Sequence, residues 1–212
     1  MLKSPIVGTA QDALIYLEDQ AAVTYTYNTA SVSLLSKIVN VVLQDWRFPI
    51  WSGSSKPHQH HYGQGGLVIH TAEVVKLCLE NNKLFDNQIN QTILFLAALF
   101  HDVGKMWDYE PVRSSLTDNC VEFNEYLDWK GTSHKRHIHH ISRSALVWQS
   151  AAKEKYMSDG QIDEVLHAIL AHHGQREWGS PVSPNTKLAW MLHLCDGISA
   201  RMDDAERWDR HQ

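Results

Sequence analysis

The stretch AALFHDVGK (residues 97–105) decides the fold, because it places a histidine and an aspartate at the end of a strongly apolar run. The residues from Ile93 to Phe100 are apolar on every side of a helix, which indicates a helix buried at the centre of the protein. A protein interior holds polar groups such as His101 and Asp102 only when something pairs them. Gly104 follows at a position typical of a helix cap.

The end of this helix favours a cation. A helix C-terminus carries partial negative charge, and the carboxylate of Asp102 adds to it. A bound cation would balance this charge, and a salt bridge to Lys105 would balance it less completely.

The same pattern occurs again in VLHAILAHHG (residues 165–174), an apolar helix that ends in His172 and His173 just before Gly174. Two buried helices that each present a polar pair at a glycine-capped end are hard to explain by packing alone. This repetition indicates one shared site.

Two further helices place polar side chains on apolar faces. Helical spacing puts His70 on one stripe with Leu67, Thr71, Val74 and Cys78. Asp196 shares a stripe with Leu188, Ala189, Leu192 and Ser199. A histidine such as His70, taken alone, is also explained by a hydrogen bond to a backbone carbonyl. A buried carboxylate without a partner costs several kcal/mol, so Asp196 requires a cation.

The mixture of imidazoles and carboxylates predicts a divalent metal site. Neutral imidazole and carboxylate suit Mn, Fe, Ni, Zn or Mg, and the mixture favours a transition metal. If Asp102 bridges, the ligands suffice for two ions.

Composition excludes several classes of protein. The formal net charge of −5 over 212 residues is not that of a general nucleic-acid coat. Three widely spaced cysteines without a CxxC motif favour neither a disulfide framework nor a thiolate zinc site. No apolar run approaches the length of a membrane span, so we expect a soluble, cytoplasmic protein without membrane contact.

Helical periodicity dominates the chain and predicts an all-α fold with one small β-hairpin. Residues 1–57 are expected to form an N-terminal helical extension packed on a domain of residues 58–212. The hairpin is expected within 106–139, where VRSSL and CVEFNEY flank TDN. Helices are predicted over 10–20, 31–46, 67–83, 89–103, 140–156, 160–173 and 185–206.

The order of His70, the His101–Asp102 pair and Asp196 resembles the H…HD…D motif of the HD-domain superfamily of metal-dependent phosphohydrolases. The blocks HHYGQGGLVIHT (60–71), HDVGK (101–105) and AHHGQREWGSP (171–181) look like the HD domain of YhaM-type 3'-5' exoribonucleases. The first block and RHIHHISRSALVW (136–148) also resemble the HD domain of TraI/MobH-type conjugation proteins.

The resemblance implies roles for individual residues. It implies a second-ion ligand near the start of the helix at 140, for which His140 fits best and His137 is the alternative. It implies catalytic roles for Asp102 and Lys105, and substrate contacts from His60, His61, Lys105 and Arg143. Two divalent ions (Mn, Fe, Ni or Mg) would be held by His70, His101, Asp102, Asp196, His140, His172 and His173.

The resemblance further implies a phosphodiesterase or 3'-5' exonuclease acting on nucleic-acid ends or short oligonucleotides, by attack of a hydroxide that bridges the ions. The exoribonucleases carry an oligonucleotide-binding β-barrel ahead of this domain, whereas residues 1–57 here read as helical. A nucleotide phosphohydrolase, a weakly catalytic binding module in conjugative DNA transfer, and an iron-dependent oxygenase remain alternatives.

The surroundings of the motifs leave two interpretations open. Lys130, Lys135, Arg136 and Arg143 form either a phosphate-binding strip or a solvated basic loop. The tryptophans that flank the motifs either stack on a base or pack in the core; they are Trp107, Trp129 and Trp178.

Overall fold

The structure is a computed structural model that describes residues 8–26, 32–113, 127–154 and 157–209. Within these ranges the regular secondary structure consists of helices and one two-stranded sheet, which confirms the all-α prediction. The helices are α1 (Ala10–Thr26), α2 (Val32–Leu43), α3 (Gly66–Leu84), α4 (Gln91–Phe100), α5 (Lys105–Asp108), α6 (Ser133–His137), α7 (His140–Ala151), α8 (Asp159–Ala171) and α9 (Lys187–Asp209). The strands are β1 (Tyr109–Arg113) and β2 (Leu127–Gly131).

Helix α4 lies at the centre of the core, as its apolar sequence predicts. Every residue from Ile93 to Phe100 is buried, and the helix packs against α3, α8 and α9. The side chain of Asn90 caps its start by accepting hydrogen bonds from the backbone N–H groups of Thr92 and Ile93. The apolar run therefore carries its C-terminal His–Asp pair into the middle of the protein.

Helices α3 and α9 bury the stripes expected from helical spacing. His70 is buried in α3 together with Leu67, Thr71, Val74 and Cys78. In α9, Leu188, Ala189, Leu192 and Ser199 are buried on the face that carries Asp196. Both helices thus direct polar side chains toward the end of α4.

The prediction that Gly104 caps α4 is wrong. The helix ends at Phe100, and Gly104 has a right-handed φ of −61° instead of the left-handed conformation of a cap. Gly104 lies so close to α7 that a Cβ there would overlap the carbonyl group of His140. Its N–H donates a hydrogen bond of 2.9 Å to Ser144 Oγ. The absent side chain therefore lets α7 approach the segment that carries Asp102. Gly174 does adopt the expected left-handed conformation, with φ +94°.

The hairpin is present. The strands that the structure describes, Tyr109–Arg113 and Leu127–Gly131, lie farther from TDN than the predicted strands 112–116 and 120–126. Strands β1 and β2 pair antiparallel, with Tyr109 opposite Gly131. Residues 114–126, which include TDN and most of both predicted strands, lie outside the described residues. The indole N–H of Trp51 donates a 2.8 Å hydrogen bond to Tyr109 O, which ties the hairpin to the loop before α3.

The first two helices pack on the core. Ala13, Leu17 and Ala21 of α1 are buried in the same apolar cluster as α3 and α4, and α1 lies against α3. The division of the chain at residue 57 stays a prediction. Among the described residues, no helix is both long and apolar enough to cross a membrane.

The close approach at Gly104 predicts a stability effect. Gly104→Ala should lower the free energy of unfolding by about 1–3 kcal/mol, the usual cost of overpacking. Gly160→Ala is the matched control, because a Cβ on Gly160 in α8 meets nothing within 4 Å and alanine favours helices. Urea unfolding monitored by circular dichroism measures both; equal stabilities for the two variants would contradict the packing described here.

Candidate metal centre

Four side chains from α3, the end of α4 and α9 form the first cluster, defined as His70, His101, Asp102 and Asp196. His70 Nε2 lies 3.0 Å from Asp196 Oδ1 and 3.3 Å from Asp102 Oδ2. The Nε2 atoms of His70 and His101 are 3.2 Å apart. One potential ligand atom from each of the four residues lies within 4.8 Å of the others.

Three histidines from α7 and the end of α8 form the second cluster, defined as His140, His172 and His173. His140 Nε2 is 3.3 Å from His173 Nε2. The Nε2 atoms of His140 and His172 each lie 3.5 Å from Asp102 Oδ1. Asp102 therefore directs Oδ2 toward the first cluster and Oδ1 toward the second.

The structure separates the two histidines considered for the second cluster. His140 is the first residue of α7, is buried, and faces His173. His137 is exposed at the end of α6 and belongs to none of the clusters formed by the described residues.

Outer hydrogen bonds orient three of the imidazoles. His101 Nδ1 lies 2.8 Å from Ala98 O, and His172 Nδ1 lies 2.7 Å from Ile169 O. Each carbonyl can only accept, so each Nδ1 carries the proton and each Nε2 is free to bind a cation. In the second cluster, His140 Nδ1 lies 3.1 Å from a carboxylate oxygen of Asp108. His140 Nδ1 therefore also carries the proton, and its Nε2 is free to bind a cation.

His70 is oriented through a chain of buried groups. Its Nδ1 lies 3.0 Å from Ser199 Oγ, and the Ser199 hydroxyl donates a 2.7 Å hydrogen bond to Glu73 Oε2. The same carboxylate oxygen is 3.1 Å from His61 Nε2. Because the Ser199 hydroxyl donates to Glu73, its oxygen accepts from His70 Nδ1–H, which leaves His70 Nε2 facing the first cluster.

The atoms present fit divalent cations. Asp102 Oδ1 and His172 Nε2 are buried, and among the described residues neither has a hydrogen-bond partner. These two atoms lie 3.5 Å apart and are unfavourable neighbours unless a proton or a cation lies between them. Ligands bound at about 2.1 Å and at right angles lie about 3 Å apart, close to the separations of 3.0 Å and 3.3 Å in the first cluster.

The protonation of the buried histidines differs from one residue to the next. Burial lowers the pKa of His70, but Asp102 and Asp196 outweigh it and raise the pKa to about 9. Burial lowers the pKa of His140 to about 4. Burial would raise the pKa of Asp102, yet Lys105 and His101 hold it well below its usual range. His140 is thus neutral at pH 7, whereas His70 is protonated there until a metal displaces the proton.

A cavity of about 480 Å³ opens onto both clusters. Lys105 and His60, for which the resemblance implies substrate contacts, both line it. Lys105 Nζ is 2.6 Å from Asp102 Oδ2. The other lining residues are Asp102, His172, His173, Trp178, His193, Asp196, Gly197, Ala200 and Arg201.

Two expected substrate contacts are not at this cavity. His61 is buried, and its Nε2 lies 3.1 Å from Glu73 Oε2. The guanidinium of Arg143 lies over the Trp107 ring, 5.2 Å from the ring centroid, and its Nε–H donates to His134. Arg143 is held by these partners and does not line the cavity.

Contacts in the structure bear on the two open interpretations of the basic residues and of the flanking tryptophans. Lys130 pairs with Glu110, and Lys135 lies over the Tyr109 ring, so these cations do not converge on the cavity. Trp129 is buried against Trp51. Trp178 alone of the three flanking tryptophans lines the cavity.

Sequence reasoning missed the groups that hold the ligands in place. Glu73 lies one helical turn after His70, a spacing that could have identified it. Asp108 accepts hydrogen bonds from His134 and from both the backbone N–H and Nδ1–H of His140. Helical periodicity could not identify Asp108, because Asp108 is the last residue of α5, a helix of only four residues.

The raised pKa of His70 predicts proton release on metal binding. A histidine ligand must be neutral, so Mn²⁺ binding at pH 7 should release at least one proton. The release should disappear as the pH rises above about 9. Titration calorimetry in two buffers of different ionisation enthalpy measures it, with His137→Ala as a control of unchanged proton release. Binding heats that do not depend on the buffer would contradict the protonation state of His70.

Comparison with known proteins identifies a family and several relatives. A family model described as "HD domain" matches residues 67–201. The 3'-5' exoribonuclease YhaM of Bacillus subtilis is 30% identical over 149 residues, which are 70% of this chain and 42% of the relative. That of Oceanobacillus iheyensis is 25% identical over 169 residues, which are 80% of this chain and 49% of the relative.

The chain therefore spans about half the length of the curated relatives it matches. No solved structure matches the chain. The family match and the exoribonuclease relatives support a hydrolase of the HD phosphohydrolase type. With the H…HD…D residues gathered in one buried centre and the family match covering residues 67–201, the chain belongs to the HD domain family.

Proposed function

We propose that the chain is a metal-dependent phosphodiesterase that acts as a 3'-5' exonuclease on single-stranded or short nucleic acid. One observation carries this proposal: the two oxygens of buried Asp102 face separate histidine clusters beside a cavity. The names of the relatives, 3'-5' exoribonucleases, support the choice of nucleic acid as substrate.

The two clusters would hold two divalent ions that share Asp102. The first ion would be bound by His70, His101, Asp102 and Asp196, and the second by Asp102, His140, His172 and His173. The second set is rich in nitrogen, which favours Mn²⁺, Fe²⁺ or Ni²⁺ over Mg²⁺. When bound, such ions neutralise charge on phosphate oxygens and activate water as a nucleophile.

Lys105 supplies positive charge beside the substrate phosphate. Burial lowers the pKa of its ammonium group, but the neighbouring carboxylate of Asp102 outweighs burial and raises it. Lys105 therefore stays protonated, and it lines the cavity while it is held against Asp102. Its role is to bind and orient an anion; a protonated lysine cannot serve as a base.

His60 and Arg201 complete the phosphate surroundings. Burial lowers the pKa of His60 to about 3, so its imidazole is neutral at pH 7 and can donate or accept a hydrogen bond. Arg201 adds a second cation to the lining of the cavity. Together with Lys105 they make the cavity suited to an anionic ester.

Loss of the shared carboxylate should abolish turnover. Asp102→Asn should lower kcat for a labelled single-stranded oligonucleotide in Mn²⁺ by roughly a thousand-fold or more, because both ions lose a ligand at once. The control is Asp163→Asn, which changes an exposed carboxylate of α8 that does not line the cavity. Elemental analysis should show less bound metal in Asp102→Asn only. Full activity of this variant would rule out the proposed centre.

A nucleotide phosphohydrolase is the second candidate, because the volume of the cavity, about 480 Å³, also suits a mononucleotide. Product analysis separates the two reactions. An exonuclease should yield a ladder of shortened oligonucleotides and release mononucleotides, without inorganic phosphate from nucleoside monophosphates. Inorganic phosphate as the main product would favour the second candidate.

A further inference from the structure

Trp178 lies between two neighbouring cavities. It lines the metal-facing cavity described above and also a second cavity of about 350 Å³, here called the outer cavity. The tryptophan side chain is 63% exposed. Exposure alone does not distinguish Trp178, but its place in the walls of both cavities makes its ring available for contact with a ligand.

The indole is held in a fixed position although it is exposed. It closes the 3₁₀ segment Arg176–Trp178, between Gly174 and Gly179, which both have positive φ. A Cβ on Gly174 would lie 2.6 Å from the Trp178 ring, so only glycine lets the ring pack this closely on the backbone. The ring also lies over His193, with 5.8 Å between centroids and 31° between planes. His193 is itself anchored, because its Nδ1–H donates a 2.8 Å hydrogen bond to His172 O.

The two cavities differ in charge. The metal-facing cavity contains Lys105, Arg201 and the carboxylates of the first cluster, which suits a phosphate group bound to cations. The outer cavity has no lysine, arginine, aspartate or glutamate among its lining residues, which are His139, Ile141, Ser142, His173, Trp178, Gly179 and Pro181. It therefore suits the uncharged part of a nucleotide.

We propose that Trp178 and the outer cavity form a nucleoside subsite. The base of the nucleotide next to the cleaved phosphate stacks on the indole, and its sugar enters the outer cavity. This inference rests on the proposed function, and it adds that the enzyme recognises a base beside the cleaved bond without reading its identity. Stacking tolerates any base because every base presents a π-face.

The substrate test compares two oligoadenylates of equal length, one of them lacking bases at its two 3'-terminal residues. Trp178→Ala should raise KM for the complete oligonucleotide about ten-fold or more, with kcat changed little. The same variant should leave the kinetics of the partly abasic oligonucleotide unchanged, and Trp178→Phe should be intermediate. The matched control is Trp46→Ala, since Trp46 is 64% exposed and lines neither cavity.

Binding provides a readout besides turnover. Adenosine 5'-monophosphate should quench the tryptophan fluorescence of the wild type and of Trp46→Phe, and should quench Trp178→Phe much less. A wild type that cleaves no oligonucleotide would contradict the proposed function, while the quenching still tests the subsite. Three results would overturn the subsite. In Trp178→Ala, KM could rise equally for both oligonucleotides or could rise for neither. Adenosine 5'-monophosphate could also quench the wild type and Trp178→Phe equally.

Discussion

The structure depends on the burial of one carboxylate. Asp102 is 1% exposed, and an ionised carboxylate at such a depth costs several kcal/mol unless it is surrounded by opposite charge. Lys105 lies 2.6 Å from Oδ2, and imidazoles from three other parts of the chain approach the two oxygens. The packing of α3, α7, α8 and α9 around the end of α4 can thus be understood as the arrangement that brings these partners within reach.

The ends of α4 and α8 show why a histidine directly follows each of these apolar helices. The last carbonyls of a helix have no partner within the helix. His101 uses Ala98 O, and His172 uses Ile169 O, in each case a carbonyl three residues earlier. Each helix end therefore satisfies its own backbone and fixes the ring of its histidine through one hydrogen bond. This shared geometry explains the repeated sequence pattern better than the expected glycine caps do, since only Gly174 is left-handed.

Helical periodicity predicted which helix faces are buried, whereas contacts made by loop residues and contacts between elements could not be predicted from it. The periodicity around His70 and Asp196 identified their buried faces, and the apolar run before His101 identified the central helix. His60 and His61 are adjacent in a loop, and no pattern distinguishes the one that lines the cavity from the one that turns to Glu73. Arg143 contacts Trp107 and His134 in the folded protein, and nothing in the sequence around Arg143 indicates these contacts.

The residues of the first cluster are spread from position 70 to position 196, and this spread has a consequence for biosynthesis. Domains generally fold as units, and the N-terminal residues leave the ribosome first. His70, His101 and Asp102 are translated long before Asp196 and Ser199, which anchor His70 from α9. A nascent chain stalled before α9 has His70, His101 and Asp102 without these two partners, so the first cluster is complete only when α9 has been translated.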